Sequence, residues 1–279
     1  LKPSDVSISK EALDLIISDY TRESGVRNLR RRIADILRKV AKNILTKKNE
    51  GKISVTAKNL KEFLEKKVYE IEPADKKDQI GLVNGLAWTS VGGDVLRIEA
   101  IRIQGKGSMQ ITGQLGDVMK ESAQIAFSVV KVLIDNKKIK VPMTIVPKLD
   151  DDKRKLEASD VYRRYDLHLH VPEGAVPKDG PSAGITMATA IASILTDTKV
   201  RHDIAMTGEI TLTGRVLPIG GLKEKLIAAH KAGIKTALIP RKNYDRDLVD
   251  IPTEVKADMK IIAVDTIDDV LKNALVAKK

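Results

Sequence analysis

The N-terminal quarter of the chain repeats apolar residues at helical spacing. ISKEALDLIISDYT and VRNLRRRIADILRKVAKNIL each place an apolar stripe on one helix face, with Ser9 positioned to cap the first helix. A short ISV strand follows, and Thr56 is positioned to cap a further helix over AKNLKEFLEKKV. The segment IEPADKKDQIG, with its proline and charges, is typical of a linker. We therefore predict a small helical domain over residues 1–72 and a second domain over residues 73–279.

The second domain mixes strand and helix periodicities. GLVNGLAWTSVGGDVLRIEAIRIQG and GSMQITGQL have β periodicity punctuated by Gly, whereas LGDVMKESAQIAFSVVKVLI is an amphipathic helix. YDLHLHV alternates strictly, which predicts a strand with one apolar face and with His168 and His170 on the other. Further strands are predicted at IAMTGEI, RVLPIGG, TALIP and KIIAV, and helices after PKDG and at LKEKLIAAHKAG and DDVLKNAL. The predicted fold class is α+β.

Composition excludes several classes of site and partner. Cysteine is absent, which removes disulfides, thiol nucleophiles and thiolate metal sites and fits a reducing compartment. No apolar run approaches the roughly 20 residues that span a bilayer, and the first residues show no signal-peptide pattern, so we expect a cytoplasmic protein without a membrane partner. The net charge of +11 attracts nucleic acid or polyphosphate, but the basic runs NLRRRIADILRKVAKN and NILTKKNEGK contain no interleaved aromatic residues. A solvated helix face and weak binding of DNA or polyphosphate both stay open.

The segment PKDGPSAG places Ser182 at the start of a predicted helix. Pro181 suits a first helical position, because its ring fixes φ and its missing N–H would be unbonded there anyway. Gly180 and Gly184 allow a ligand or neighbouring backbone to approach closely. A serine at this place can cap the helix, hold a phosphate or attack a carbonyl, and the first-turn N–H groups can stabilise an oxyanion.

A serine nucleophile requires a base. His168 and His170 do not stand in a Ser-His-Asp order, the chain has no G-x-S-x-G elbow, and no third metal ligand is evident, so we predict packing or pocket roles for them and no metal site. On a helical wheel of LKEKLIAAHKAG, Lys225 falls within the small apolar arc and Lys223 falls on the polar side. Desolvation favours a neutral amine, so Lys225 can take a proton from Ser182.

Taken together, these segments resemble a known protease family. PEGAVPKDGPSAG followed by MTGEITLTGRVLPIGGLKEKLIAAHKAGIK closely resembles the proteolytic domain of the ATP-dependent Lon proteases of the LonA type. GLAWTSVGGDVLRIEA resembles the start of that domain, and YTRESGVRNLRRRI resembles the helical lid of an AAA+ ATPase. The resemblance covers nearly the whole chain. It implies an AAA+ lid followed by an α+β, ribosomal-protein-like proteolytic domain with serine endopeptidase activity.

The resemblance also implies roles for residues around the nucleophile. In that family the serine and the second lysine of GGLKEK form a Ser-Lys dyad, which corresponds here to Ser182 and Lys225. Thr207, in MTGE, would orient the amine of that lysine. Asp179 and Gly180 would belong to the mobile loop that shapes the oxyanion site.

Other implied roles lie outside the dyad. Trp88, Thr89 and Gly92 belong to the WTxxGG segment that lines the substrate side, or they serve the fold alone. Arg27 matches a sensor-2 arginine that reaches nucleotide phosphates from the lid. The chain has no G-x-x-x-x-G-K-[ST] loop and no Walker B strand, and it starts at Leu1, so we expect a fragment that needs no cofactor itself. The full enzyme would use ATP and Mg, assemble as a homo-hexamer and degrade unfolded or damaged and regulatory proteins.

Two other classes of function compete with the peptidase. Phosphotransferases of the galactokinase-like superfamily are related in fold to the Lon proteolytic domain, and they bind ATP phosphate with a Gly-Ser-rich loop. That function would leave the lysine on the apolar arc, Lys225, without a role. A binding module, such as the Lon-like domain of a DNA-repair protein that lacks the dyad, is disfavoured by the presence of both Ser182 and Lys225. Peptide cleavage with and without Ser182→Ala separates the peptidase from both.

Overall fold

The computed structural model describes residues 1–21, 23–46, 51–69, 73, 75–149, 154–172 and 176–277. The chain divides into two compact units, Leu1–Glu72 and Pro73–Lys279. Three predictions extend partly beyond the described residues: the linker, at residues 70–72 and 74; the second basic run, at residues 47–50; and the segment before Ser182, at residues 173–175.

The first unit is a small helical domain with a two-stranded parallel sheet. Its strands are β1 (Val6–Ile8) and β2 (Ile53–Val55). Its helices are α1 (Lys10–Leu15), which continues as a π-helical turn over Ile16–Tyr20, α2 (Arg27–Leu45) and α3 (Leu60–Leu64). The predicted cap at Ser9 is confirmed, because its side chain accepts the N–H of Ala12. The buried core of this unit consists of Ile16, Tyr20, Ile36, Val40, Ile53, Val55, Leu60, Phe63 and Leu64.

The predicted cap at Thr56 is wrong. The helix is only α3, and the residue that precedes it is Asn59. The Asn59 side chain accepts the N–H of Thr56 at 2.8 Å and donates to the carbonyl of Ser54 at 2.9 Å. These local bonds hold the chain in a turn that delays the helix. Glu65, at φ 60°, ends it one turn later.

The second unit is built on a seven-stranded mixed sheet of order β11-β10-β7-β3-β4-β6-β5, which confirms the α+β prediction. Strands β3 and β4 form an antiparallel hairpin, β4 and β6 are antiparallel, and the other neighbours are parallel. A separate two-stranded sheet joins β8 and β9. The strands are β3 (Leu82–Thr89), β4 (Gly92–Gln104), β5 (Met109–Thr112), β6 (Tyr165–His170), β7 (Ile204–Met206), β8 (Glu209–Ile210), β9 (Val216–Leu217), β10 (Thr236–Pro240) and β11 (Lys260–Val264).

The helices of this unit enclose the sheet. They are α4 (Asp117–Asp135), α5 (Asp160–Arg164), α6 (Gly184–Thr196), α7 (Leu222–Lys231), α8 (Arg241–Asp247), α9 (Thr253–Asp258) and α10 (Ile267–Ala274). Short 3₁₀ turns occur at Met143–Ile145, Pro181–Ala183 and Leu248–Asp250. All thirteen residues of α6 are buried, so this helix runs through the centre of the unit beside α4. The helix has a hydroxyl side chain at Thr186, Thr189, Ser193 and Thr196, and each hydroxyl bonds to a backbone carbonyl, which allows its burial in the core.

Two details of this unit refine the sequence predictions. The alternation of YDLHLHV is confirmed, because Leu167, Leu169 and Val171 are buried. The predicted Ser182 helix does not begin as an α-helix: Pro181–Ala183 form a 3₁₀ turn, and the α-helix starts at Gly184. Within the described part of the chain, no helix is both long enough and apolar enough to cross a membrane.

Candidate active site

Helix α7 carries one lysine into the protein interior. Gly221 precedes the helix in the left-handed conformation, φ 67°, which suits glycine, and its carbonyl accepts the first helical bond from the N–H of Lys225. Lys225 is only 2% exposed, whereas Lys223 is exposed. The helical wheel is therefore confirmed for these two residues. It succeeds because 3.6 residues per turn places Lys225 on the same face as the buried Leu222 and Ala229.

The buried amine of Lys225 has a single neutral partner in the described structure. Its Nζ donates to Oγ1 of Thr207 at 3.0 Å, and Thr207 is fully buried. Burial lowers the pKa of Lys225 from 10.5 to about 8, because an ammonium loses hydration in this apolar setting. At neutral pH a measurable fraction of the amine is therefore unprotonated and able to accept a proton.

Thr207 also contacts the segment that carries the serine. Its hydroxyl donates to the backbone carbonyl of Ser182 at 3.3 Å, and the N–H of Gly208 donates to the same carbonyl at 2.8 Å. Ser182 itself is half-buried in the 3₁₀ turn before α6. Among the described residues, no hydrogen bond joins Ser182 Oγ directly to Lys225 Nζ. The structure thus brings Ser182, Thr207 and Lys225 together, with the threonine hydroxyl bonded to both neighbours.

The loop before Ser182 is tied to the start of α4. Asp179 Oδ1 accepts the N–H of Met119, in the first turn of α4, at 2.9 Å and the N–H of Gly180 at 2.8 Å. Gly180 has φ 121°, a conformation that favours glycine. Because its N–H is bonded to Asp179, Gly180 does not present that donor to a ligand in this conformation. A side-chain atom added at Gly116, which precedes α4, would overlap the Asp179 carboxylate.

A cleft of about 590 Å³ adjoins this loop. Its lining combines the end of β5, the start of α4 and the segment that leads to the nucleophile. These residues are Ile111, Thr112, Gln114, Leu115, Gly116, Lys120, Pro177, Lys178 and Asp179. Thr112 also bonds to both histidines of β6, through Nε2 of His168 at 2.9 Å and Nδ1 of His170 at 2.7 Å. The two imidazoles therefore share a neutral hydroxyl at the edge of the cleft.

The WTxxGG segment forms the seat of α7. Trp88, 60% exposed, lies against Gly221, where an added Cβ would stand 2.5 Å from the indole ring. Thr89 Oγ1 donates to the carbonyl of Gly92 at 2.9 Å and so closes the turn between β3 and β4. Gly92 has φ 127° at this turn.

The sequence analysis missed one residue of this seat, Gly93. A Cβ there would overlap the carbonyl oxygen of Glu224, in the first turn of α7. The double glycine in WTSVGG was its only visible signal. The β3–β4 hairpin therefore packs, through Trp88 and Gly93, against the start of the helix that carries Lys225.

Arg27 lies in the other unit, as the first residue of α2, and its side chain is exposed. Glu23 occupies the start of this helix: its carboxylate accepts the N–H groups of Asn28 at 2.8 Å and Leu29 at 2.9 Å. These bonds lower the pKa of the Glu23 carboxyl. The helix start is thus capped by a carboxylate, and Arg27 extends beside it into solvent.

Comparison with known proteins agrees with this geometry. Residues 54–277 match the Lon protease (S16) C-terminal proteolytic domain, and residues 1–53 match the Lon protease AAA+ ATPase lid domain. The two matches meet at residues 53 and 54, whereas the compact units meet at Glu72 and Pro73. The difference arises because β2 pairs with β1 and α3 packs on α2 within the first unit.

Relatives match over the whole chain. Lon protease from Campylobacter concisus is 98% identical over 100% of the chain and 35% of its own length. Lon protease from Campylobacter jejuni is 63% identical over 99% of the chain and 34% of its own length. Lon protease from Helicobacter pylori strain J99 is 58% identical over 99% of the chain and 36% of its own length. The chain spans about a third of the length of these curated relatives. It belongs to the Lon protease family and carries that family's AAA+ lid and its C-terminal proteolytic domain, the domain of a serine peptidase.

Proposed function

We propose that this chain cleaves peptide bonds with a Ser182–Lys225 dyad. The observation that carries the proposal is the buried Lys225 amine, held by Thr207 beside the backbone of Ser182, with its pKa lowered to about 8. A lysine in this state supplies a base at neutral pH without a histidine. An exposed lysine would keep its proton and could not do so.

The reaction divides into acylation and deacylation. The Lys225 amine takes the proton of Ser182 Oγ, which attacks the peptide carbonyl and forms a tetrahedral oxyanion. The ammonium then gives the proton to the leaving amine, the C–N bond breaks, and an acyl ester remains on Ser182. A water molecule, deprotonated by the same amine, hydrolyses the ester and restores both residues.

For these reaction steps to occur, Ser182 Oγ must come within hydrogen-bond distance of Lys225 Nζ. Thr207 bonds both to the Lys225 amine and to the backbone carbonyl of Ser182, and we propose that a movement of the serine side chain or of its 3₁₀ turn brings the hydroxyl to the amine. The role of Thr207 is to hold the amine at this place. Apo sites often tighten such bonds only when substrate binds.

The oxyanion donors are assigned to the backbone around the nucleophile. N–H groups at a helix start point toward developing negative charge and are fixed before the reaction begins. The Gly180 N–H joins them when the loop releases it from Asp179. In the resting arrangement, Asp179 instead stabilises the start of α4. The adjoining cleft, with apolar Ile111 and Leu115 and polar Gln114, is the space we assign to a substrate side chain.

We infer that the natural setting is a longer ATP-dependent protease. The relatives are named Lon protease, and the lid belongs to an AAA+ ATPase. On this proposal the whole protein is a cytoplasmic homo-hexamer that degrades unfolded or damaged and regulatory proteins and uses ATP and Mg. Weak binding of DNA or polyphosphate remains a prediction from the charge of +11.

We expect that the described residues form no nucleotide site by themselves. The sequence has no phosphate-cradling loop, and the amides at the start of α2 are bonded to the Glu23 carboxylate, which would repel a phosphate there. Arg27 is exposed, and we propose that it reaches a nucleotide bound by another part of the whole protein. We therefore expect no ATP hydrolysis by this chain. ATPase activity that disappears in Arg27→Ala would contradict this.

The test of the proposal is cleavage of a fluorogenic peptide or casein by the chain and by Ser182→Ala. The same pair of variants is made at the equivalent position of the Campylobacter concisus protein, which is 98% identical over this chain. We expect cleavage by the wild-type site and its loss in the alanine variant of each protein. Cleavage by Ser182→Ala at wild-type rate would require another nucleophile.

A further inference from the structure

A buried asparagine bonds to the loop that leads into α7. Asn243, on α8, is fully buried. Its Oδ1 accepts the N–H of Ile219 at 2.9 Å, and its Nδ2 donates to the carbonyl of the same residue at 2.8 Å. One side-chain amide thus satisfies both backbone groups of Ile219, as a neighbouring strand would. A third bond, from Nδ2 to Asp247 Oδ2 at 2.6 Å, fixes which end of the amide donates.

The residue that Asn243 holds lies directly before the start of α7. Ile219 is followed by two glycines, and the second of them, Gly221, precedes α7 in the left-handed conformation. Glycines have the widest range of backbone conformations, so this junction has little stiffness of its own. Lys225 lies in the first turn after it, and the position of its amine depends on how that turn is set. The bonds to Ile219 supply the stiffness that the two glycines lack.

We propose that Asn243 is a positioning residue for the peptidase reaction: it fixes the Ile219 backbone so that the first turn of α7 keeps the Lys225 amine buried against Thr207. The proposal rests on the assignment of Lys225 as the base. It goes beyond that assignment, because Asn243 lies on another helix and bonds to neither member of the dyad. The role requires hydrogen bonds from both ends of the amide.

The consequence of losing Asn243 follows from the environment of the amine. Burial is what lowers the pKa of Lys225, so admission of water must return it toward 10.5. The elements packed against α7 carry charges of both signs, among them Asp94 and Arg97 on β4, Arg246 and Asp247 on α8, and Lys256 and Asp258 on α9. The lowered pKa of Lys225 has burial as its cause and does not depend on any of these charges. A loosened junction therefore leaves less neutral amine at pH 7.

The experiment measures the titration of Lys225 itself, by NMR of ¹³Cε-labelled lysine in the chain, with its signal identified by its loss in Lys225→Met. In Asn243→Ala and in Asn243→Leu, which nearly keeps the volume, adds no charge and loses both bonds to Ile219, we expect the pKa of Lys225 to rise by about one unit. At a fixed pH below the pKa, the neutral fraction of the amine falls about tenfold for each unit by which the pKa rises. Peptide cleavage at pH 7 should therefore fall about tenfold. At pH 9.5 it should recover to within about twofold of wild type.

Three control variants separate positioning from stability. Asn273→Ala removes an asparagine bonded within its own helix, α10, and Leu271→Ala weakens the core elsewhere. Neither should move the Lys225 titration. Asp247→Ala removes the bond that orients the amide, together with the ion pair between Asp247 and Arg246, and leaves both bonds from Asn243 to Ile219 in place. It should raise the pKa of Lys225 less than Asn243→Ala does, and it keeps the test valid if Asn243→Ala folds poorly.

The proposal would be overturned if the Lys225 titration were unchanged in folded Asn243→Leu and Asp247→Ala while their melting temperatures fell as in Leu271→Ala. Its failure is distinct from failure of the peptidase assignment. If Ser182→Ala cleaves like wild type, the peptidase assignment fails, and the lysine titration still decides whether Asn243 controls the amine.

Discussion

Replacement of Lys225 by Met should stabilise the fold at neutral pH while it abolishes peptide cleavage. Methionine keeps an unbranched side chain of similar length and removes the buried charge. Among the residues that the structure describes, Lys225 has no carboxylate partner and bonds to the hydroxyl of Thr207. The folded protein therefore bears the cost of dehydrating an ammonium, and the apolar substitute does not.

The size of this effect follows from the pKa of Lys225. A change from 10.5 to about 8 corresponds to about 3 kcal/mol, since each tenfold change in proton affinity represents about 1.4 kcal/mol. Loss of the bond to Thr207 offsets about 1 kcal/mol of the gain. At pH 6.5, below both pKa values, the net stabilisation by Lys225→Met should therefore be about 2 kcal/mol.

The pH dependence has a definite sign. The folded protein binds the proton more weakly than the unfolded chain, so wild-type stability rises with pH from about 8 to 10.5. At pH 9.5 the remaining cost of the lysine is about 1 kcal/mol, so the advantage of Lys225→Met should shrink by about 2 kcal/mol from its value at pH 6.5. This difference does not depend on how well methionine packs.

The assay is urea unfolding at the two pH values, followed by the fluorescence of Trp88, the single tryptophan, which lies against the junction before α7. Lys223→Met is the matched control on the exposed side of the same helix and should change stability little at either pH. The reasoning is refuted if the difference between Lys225→Met and wild type is the same at both pH values.

Three further predictions concern residues around the dyad. Lys225→Arg should abolish cleavage, because a guanidinium keeps its proton, whereas Lys223→Ala should reduce cleavage only modestly; the reverse order in a peptide assay would exclude the dyad. Gly221→Ala should lower both the melting temperature and cleavage, because its φ is 67° and the added carbon meets an aromatic ring, whereas Gly220→Ala makes only ordinary contact at 3.8 Å and should be tolerated in both measurements. Asp179→Ala should destabilise the fold by about 1 kcal/mol in urea unfolding through loss of the cap on α4, and Asp179→Asn, which keeps the acceptor, should lose less.

Sequence periodicity predicted the features that depend on regular helices and strands. The wheel of α7 separated Lys225 from Lys223 because a helix repeats its geometry at every turn. The strand that carries His168 was predicted for the same reason, because alternation reports burial directly.

Contacts between distant segments were not predictable from periodicity. Nothing in the local pattern pairs Gly93 with Glu224, Asn243 with Ile219 or Asp179 with Met119, because each depends on how separate elements pack. The error at Thr56 has a local cause: Asn59 bonds to the backbone of the turn and delays the helix, and propensity alone did not weigh that competition.

The most direct test of the central claim is covalent labelling of the chain by a peptide p-nitrophenyl ester, with the labelled residue identified by mass spectrometry from pH 6 to 10. Our account predicts an acyl ester on Ser182, formed at a rate that rises with pH through about 8 as Lys225 becomes neutral, and lost in Lys225→Met. A label on another residue, or labelling of Ser182 that proceeds equally in Lys225→Met, would contradict it.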